Sequence, residues 1–115
     1  MAKINLTIVI LSWNTQQLLE NCLTSIDQNL KTKDHDLKTE IIIVDNNSND
    51  GSKELIKNFT FKSQNAHKKI ILNNKNKGFA KGNNQAIRQA KGKYILLLNS
   101  DTEINPKSLT TLINY

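Results

Sequence analysis

Cysteine, proline and aromatic residues are all scarce in this 115-residue sequence: it holds one cysteine, one proline and 5% aromatics. A lone cysteine, Cys22, excludes an intrachain disulfide and makes a cytoplasmic setting the natural expectation. With so few rings, aliphatic side chains must supply most of any core. No long hydrophobic run exists either. The most apolar segment, Leu6 to Leu11, is far too short to cross a bilayer and lacks the cleavage chemistry of a secretory signal. Membrane contact is therefore expected only at a surface, such as the inner face of a membrane. No internal repeat and no low-complexity linker interrupt the chain.

Acidic residues are the minority. Sixteen Lys and Arg stand against ten Asp and Glu, a net charge of +6. That balance favours anionic partners: nucleic acid, an acidic membrane surface or a phosphorylated small molecule. The lysines are scattered, with no basic run interleaved with aromatics, which argues against a nucleic-acid binder.

Hydrophobic content of 37% and charged content of 23% describe an ordinary globular protein, and the length suits one domain over residues 1–115. Four short apolar runs alternate with helical patterns. Asn5 to Leu11 is β-branched and almost continuously apolar, as in a central strand covered on both faces. Gln16 to Leu30 is expected to be a helix with Leu18, Leu19, Cys22, Leu23 and Ile26 inward. Glu40 to Val44 forms a second strand that ends at Asp45, followed by turn chemistry from Asn46 to Ser52 and a short helix carrying Leu55 and Ile56. Thr60 to Lys69 has no clear period and predicts an exposed connection. Lys69 to Leu72 is the third strand; Phe79 to Lys91 is a helix, with Gly92 placed as its capping glycine. Tyr94 to Leu98 is the fourth strand, and Asn105 and Pro106 begin a final helix with Leu109, Leu112 and Ile113 inward. The pattern predicts an α/β fold: a Rossmann-like parallel sheet with helices on both faces.

Parallel strands joined by right-handed crossovers place their carboxyl ends on one rim, where ligands bind in such sheets. The unusual residues crowd that rim: Ser12, Trp13 and Asn14, then Asp45 to Ser52, then the Gly78 loop, then Asn99 to Asp101. If the second and fourth strands flank the first, Asp45 and Asp101 stand about 10 Å apart. That distance suits one group on a nucleoside base and another on a diphosphate. Each residue also has a plainer reading. Asp45 can be a turn former and Asp101 a cap. Trp13 reads as packing, Cys22 as core, and His35 and His67 as solvated loop residues.

Four segments occur in order: Ile8 to Asn14, Ile42 to Ser52, Asn76 to Asn84 and Tyr94 to Asp101. Together they closely resemble the amino-terminal, nucleotide-sugar-binding half of family 2 glycosyltransferases of the GT-A fold, most like the branch that includes rhamnosyltransferase-like enzymes. The resemblance implies an inverting transfer of a hexosyl or deoxyhexosyl group from a UDP- or dTDP-sugar to a hydroxyl of a glycan or lipid-linked acceptor in cell-surface polysaccharide synthesis. It further implies that Ser12 and Trp13 line the nucleotide pocket, that Asp45 accepts hydrogen bonds from the base, and that Lys81 and Asn84 face the nucleotide. Asp101 matches the last position of the metal-binding Asp-x-Asp motif, which holds Mg²⁺ or Mn²⁺ on the diphosphate. The first position of that motif is Asn99, so one negative charge is missing; Mg²⁺ needs only one or two carboxylates plus phosphates. Asn99 is expected to orient ribose or water. The family's acceptor site and catalytic base are expected beyond Tyr115. Residues 1–115 alone are therefore expected to bind donor without turnover and to self-associate through apolar surface.

Other readings are a non-catalytic nucleotide-binding or interaction module of the same fold, a dinucleotide-binding oxidoreductase and a phosphate-receiver domain. Ser12-Trp13-Asn14-Thr15 stands where the oxidoreductase needs Gly-x-Gly-x-x-Gly and the receiver an acidic pair, which disfavours both.

Overall fold

The computed structural model of the chain describes residues 3–30 and 38–103. The final helix expected from Asn105, like His35, lies outside the described residues. Seven elements alternate: β1 (Leu6–Ser12), α1 (Gln16–Leu30), β2 (Thr39–Asp45), α2 (Ser52–Asn58), β3 (Ala66–Leu72), α3 (Phe79–Gln89) and β4 (Tyr94–Asn99). The strands form one parallel sheet in the order β3-β2-β1-β4. β1 and β2 are the central strands, which is why both read as nearly unbroken apolar runs.

Strand alternation sorts the core into two layers. Leu6, Ile8 and Ile10 of β1 and Ile41 and Ile43 of β2 pack against Leu19, Cys22, Leu23, Ile26 and Leu30 of α1 and Ile56 of α2. On the opposite face Val9, Ile42 and Val44 pack against Ala86 of α3. Helices thus cover both faces, as right-handed crossovers in this strand order require. Leu18 departs from its expected place: it is 47% exposed, and Leu19 takes the inward position one residue on.

Two element boundaries differ from the sequence expectation, each because a polar side chain has found a tertiary partner. β3 begins at Ala66, inside the stretch expected to be an exposed connection, so His67 lies in a strand and not a loop. Lys68 hid this start. Its ammonium donates to the carbonyls of Ile56 (2.8 Å), Lys57 (3.3 Å) and Phe59 (2.7 Å), capping the end of α2.

Helix α3 stops at Gln89, with Ala90 already extended at φ −66° and ψ 134°. The Lys91 N–H donates to Glu40 Oε1 at 2.9 Å, and the Gly92 N–H donates to Thr7 Oγ1 at 2.9 Å. Two buried sheet side chains therefore end the helix by capturing the next amides. Gly92 is not its capping residue. A Cβ there would sit 2.4 Å from the Thr7 backbone nitrogen, so glycine is required by close approach to β1.

Candidate functional site

Because β2 and β4 flank β1, the carboxyl-end rim carries Asp45 at the end of β2 and Asp101 in the turn just after β4, either side of the sheet's reversal point. Ser12 is in register with Asp45, and Leu11 with Asn99. The condition for the spacing of about 10 Å between the two acids is met.

Three loops interlock around this rim. Asn14, at φ 53°, donates its N–H to Ser48 Oγ (2.8 Å) and accepts from the Asn49 N–H (2.8 Å). Gln16 donates its N–H to Asp50 Oδ2 (3.2 Å) and accepts from the Gly51 N–H (3.2 Å). Thr15 Oγ1 lies 2.8 Å from Ser100 Oγ and 3.4 Å from Ser12 Oγ, a string of hydroxyls that ties the end of β4 to the end of β1. The turn residues after each strand thus hold one another, and no single loop sets the rim alone.

Within that frame the expected site residues divide into a buried floor and an exposed rim. Asp45 is fully buried; Oδ1 accepts from Ser48 Oγ at 2.6 Å and Oδ2 from the Ser48 N–H at 2.8 Å. Ser12 and Ser100 are also buried. Asn99 and Asp101 are exposed, and Trp13 projects from the rim at 53% exposure. By alternation Asn99 faces the α3 side, whereas Asp45 and Ser12 face the α1 side. Lys81 and Asn84 are exposed on α3; Lys81 lines a hollow of about 380 Å³ with Lys75, Asn76 and Lys77.

A network of amides sets the position of that lysine-lined hollow. Asn73 Nδ2 donates to Asn46 Oδ1 (2.9 Å) and to Gln85 Oε1 (2.8 Å), and Gln85 Nε2 returns a bond to Asn73 Oδ1 (2.9 Å). Asn46 Nδ2 donates to the Gly78 carbonyl at 3.1 Å. Gly78 itself has φ +85°, a left-handed conformation that favours glycine. Asn73 and Gln85 were not singled out from the sequence, and Asn46, Ser48 and Thr15 entered only as members of rim segments, with no role of their own. Their only signal was the density of Asn and Ser after the strands, which a turn explains equally well.

Cys22 is buried beneath the end of β4, with its thiol 4.0 Å from the Asn99 carbonyl oxygen. Burial, then the negative charges of Asp101 and Glu103, push the thiol up to about 12. It is a protonated core residue at neutral pH, consistent with the sequence reading.

Whether the rim fits a divalent cation turns on its oxygen donors. Among the described residues no three His, Cys, Asp or Glu side chains converge on one point. Asp101, exposed at the rim beside Asn99, fits a cation shared with a diphosphate and not one held by protein alone.

The sequence model for Glycosyl transferase family 2 matches residues 7–115. The chain belongs to that family. It is 34% identical over 109 residues to GalNAc(5)-diNAcBac-PP-undecaprenol beta-1,3-glucosyltransferase of Campylobacter jejuni, covering 94% of this chain and 33% of that protein. It is 33% identical over 112 residues to poly(ribitol-phosphate) beta-glucosyltransferase of Bacillus spizizenii, covering 96% of this chain and 17% of that protein. The chain thus spans a third or less of either relative. Among solved structures, S. aureus TarS 1–349 in complex with UDP-GlcNAc superposes with a TM-score of 0.81 at 22% identity, covering 96% of this chain and 30% of TarS. Mannosyltransferase PcManGT from Pyrobaculum calidifontis, in complex with GDP-Man and Mn²⁺, gives 0.80 at 22% identity, covering 99% and 32%. Both likenesses show the GT-A fold. Neither glucosyltransferase relative is named for rhamnosyl transfer, so the branch suggested by the sequence motifs gains no support from these names.

Proposed function

We propose that the interlocked rim is the donor-binding half of an inverting glycosyltransferase, taking a UDP- or dTDP-linked hexose or deoxyhexose. The acceptor is a hydroxyl of a glycan or of a lipid-linked saccharide at the inner face of a membrane. The observation that carries this reading is the placement of Asp45 at the end of β2 and of Asp101 just past the end of β4, the two strands that flank β1 at the reversal point. Support comes from relatives named for transfer to undecaprenol-linked and poly(ribitol-phosphate) substrates, and from similar folds solved with UDP-GlcNAc and with GDP-Man and Mn²⁺. Among the described residues no helix is long and apolar enough to cross a membrane. Any contact of these residues with a membrane is proposed to be peripheral, and salt-resistant binding of the 115-residue chain to membranes would count against that.

In this reading Asp45 receives the N–H edge of a uracil or thymine base. Its carboxylate offers about four acceptor sites and Ser48 uses two, so base recognition needs access past Ser48 and not loss of the Ser48 bonds. Ser12 and Trp13 bound the nucleoside, Lys81 and Asn84 approach from α3, and Asn99 orients ribose or water. Asp101 would hold the metal. When bound, the cation neutralises the charge that builds on the departing diphosphate. An acceptor oxygen bonds to the anomeric carbon as the bond from that carbon to the phosphate oxygen breaks. The hydroxyl proton passes to a base that we assign to none of the described residues. The 115-residue chain alone is therefore expected to bind donor without efficient transfer.

Calorimetric titration of the chain with uridine diphosphate, with and without Mn²⁺, tests the proposal. Binding strengthened by Mn²⁺ is expected, and an Asp101→Ala chain should lose about tenfold in affinity, mostly from the Mn²⁺-dependent part. A folded chain that binds neither uridine nor thymidine diphosphate would end it. One observation favours the second reading, a non-catalytic module: the Asp45 carboxylate is closed off from solvent. Donor hydrolysis or transfer by a longer form of the protein separates the two.

A further inference from the structure

At the amino ends of the strands, opposite the rim, the α3 side of the sheet opens into a cavity of about 670 Å³. It is left open because α3 stops at Gln89. Lys3, Lys69, Lys91 and Lys93 line it together with Glu40 and His67. Four lysines and one carboxylate therefore share this lining.

That carboxylate is already committed. Glu40 Oε2 pairs with Lys69 Nζ at 2.7 Å, and Oε1 accepts from Thr7 Oγ1 (2.8 Å) and the Lys91 N–H (2.9 Å). Glu40 neutralises Lys69 and fixes the backbone of Lys91. Lys3, Lys91 and Lys93 have no acidic partner among the described residues, where Lys69–Glu40 is the only ion pair; the Lys93 ammonium lies 5.5 Å from the centre of the Tyr94 ring. A buried carboxylate on a central strand is costly unless paired, and the apolar neighbours Ile42 and Val44 on the same face show what the position would otherwise hold. Glu40 anchors one edge of a concave surface with three positive charges in excess. A low-dielectric wall concentrates such a field.

We propose that this cavity is a phosphate-binding site, separate from the rim, for a ligand larger than inorganic phosphate. Ammonium groups on flexible stems bind phosphate as point charges. No Phe, Tyr or Trp lines the cavity, so a base-stacking, nucleic-acid-reading surface is disfavoured. The phosphate can belong to a soluble phosphorylated metabolite or to a lipid headgroup, and the two sources are separable by experiment.

The ¹⁵N-labelled chain, with EDTA present to suppress metal-dependent binding at the rim, would be titrated with pyrophosphate and followed by amide chemical shifts. In parallel it would be sedimented with phosphatidylglycerol–phosphatidylcholine vesicles. Saturable shifts at Lys69, Lys91 and Gly92 are expected, weakened about tenfold in a Lys3→Ala/Lys93→Ala chain. A Lys57→Ala/Lys62→Ala chain, which loses the same net charge from exposed positions elsewhere, should stay within about twofold of the parent. Saturation by pyrophosphate without vesicle binding assigns a soluble source. Vesicle binding that pyrophosphate competes away, and that Lys3→Ala/Lys93→Ala abolishes, assigns a headgroup. Equal weakening in the two double variants, shifts confined to Lys75 to Lys81, or no saturable response in either arm would overturn the site.

Discussion

In the proposed function Asp45 would be a structural and a recognition residue at once. Both carboxylate oxygens hold Ser48, and Ser48 Oγ in turn accepts from Asn14, so the acid fixes the loop that follows β1 as well as its own. Asp45→Ala should therefore cost about 1–3 kcal/mol of stability by stranding the buried Ser48 N–H, besides weakening nucleotide binding. Ser48→Ala keeps the acid and opens a path to it. Urea midpoints read beside uridine diphosphate affinities separate the roles: if Asp45→Ala and Ser48→Ala lose affinity equally, Asp45 acts only through the loop. Cys22 illustrates the opposite outcome, a potentially reactive group made inert by burial and nearby negative charge.

Among the elements, β1 decides most, because its two neighbours lead into the rim acids and its Thr7 helps end α3. Gly92 marks the tightest of these contacts. Gly92→Ala would push a methyl group into the Thr7 backbone and should cost at least about 2 kcal/mol. Thermal unfolding of that variant checks the claim; a change within error would mean that the α3–β4 connection shifts freely. Helix positions were legible in the sequence wherever apolar residues recurred at helical spacing, as in Leu19, Cys22, Leu23 and Ile26. The start of β3 was not, because Lys68 and Lys69 interrupt the apolar run while making tertiary bonds that no local pattern records.

At the scale of the whole molecule, charge and exposed apolar surface make two further expectations. Burial alone would raise the Glu40 carboxyl, but Lys69, the Lys91 N–H and the Thr7 hydroxyl outweigh it and hold it below the usual carboxylate range. A depressed carboxyl stabilises the fold above its ordinary range and loses that contribution as pH falls through its folded value. Urea denaturation should therefore show Glu40→Gln less stable than the parent by about 1–3 kcal/mol at neutral pH, with the gap closing below roughly pH 4. A gap that persists unchanged to pH 3 would mean that the carboxylate charge contributes nothing. Ile95 and Leu97 lie on the uncovered α3 side of edge strand β4, 45% and 47% exposed. Self-association of the 115-residue chain is expected from that apolar strip. Sedimentation velocity over a range of concentrations should show it, and a monomer at every concentration would refute it.

Periodicity and turn chemistry in the sequence determined the alternation of strands and helices, the central place of β1 and the rim on which the unusual residues gather. Those signals are local: a buried strand needs apolar residues and a parallel crossover needs a helix, whatever the rest of the chain does. Strand order, the early end of α3 and the basic cavity around Glu40 were decided only by tertiary structure. Each depends on which side chains meet across long stretches of chain, as Thr7 meets Glu40 and the Gly92 N–H meets Thr7. Such meetings leave no period to read.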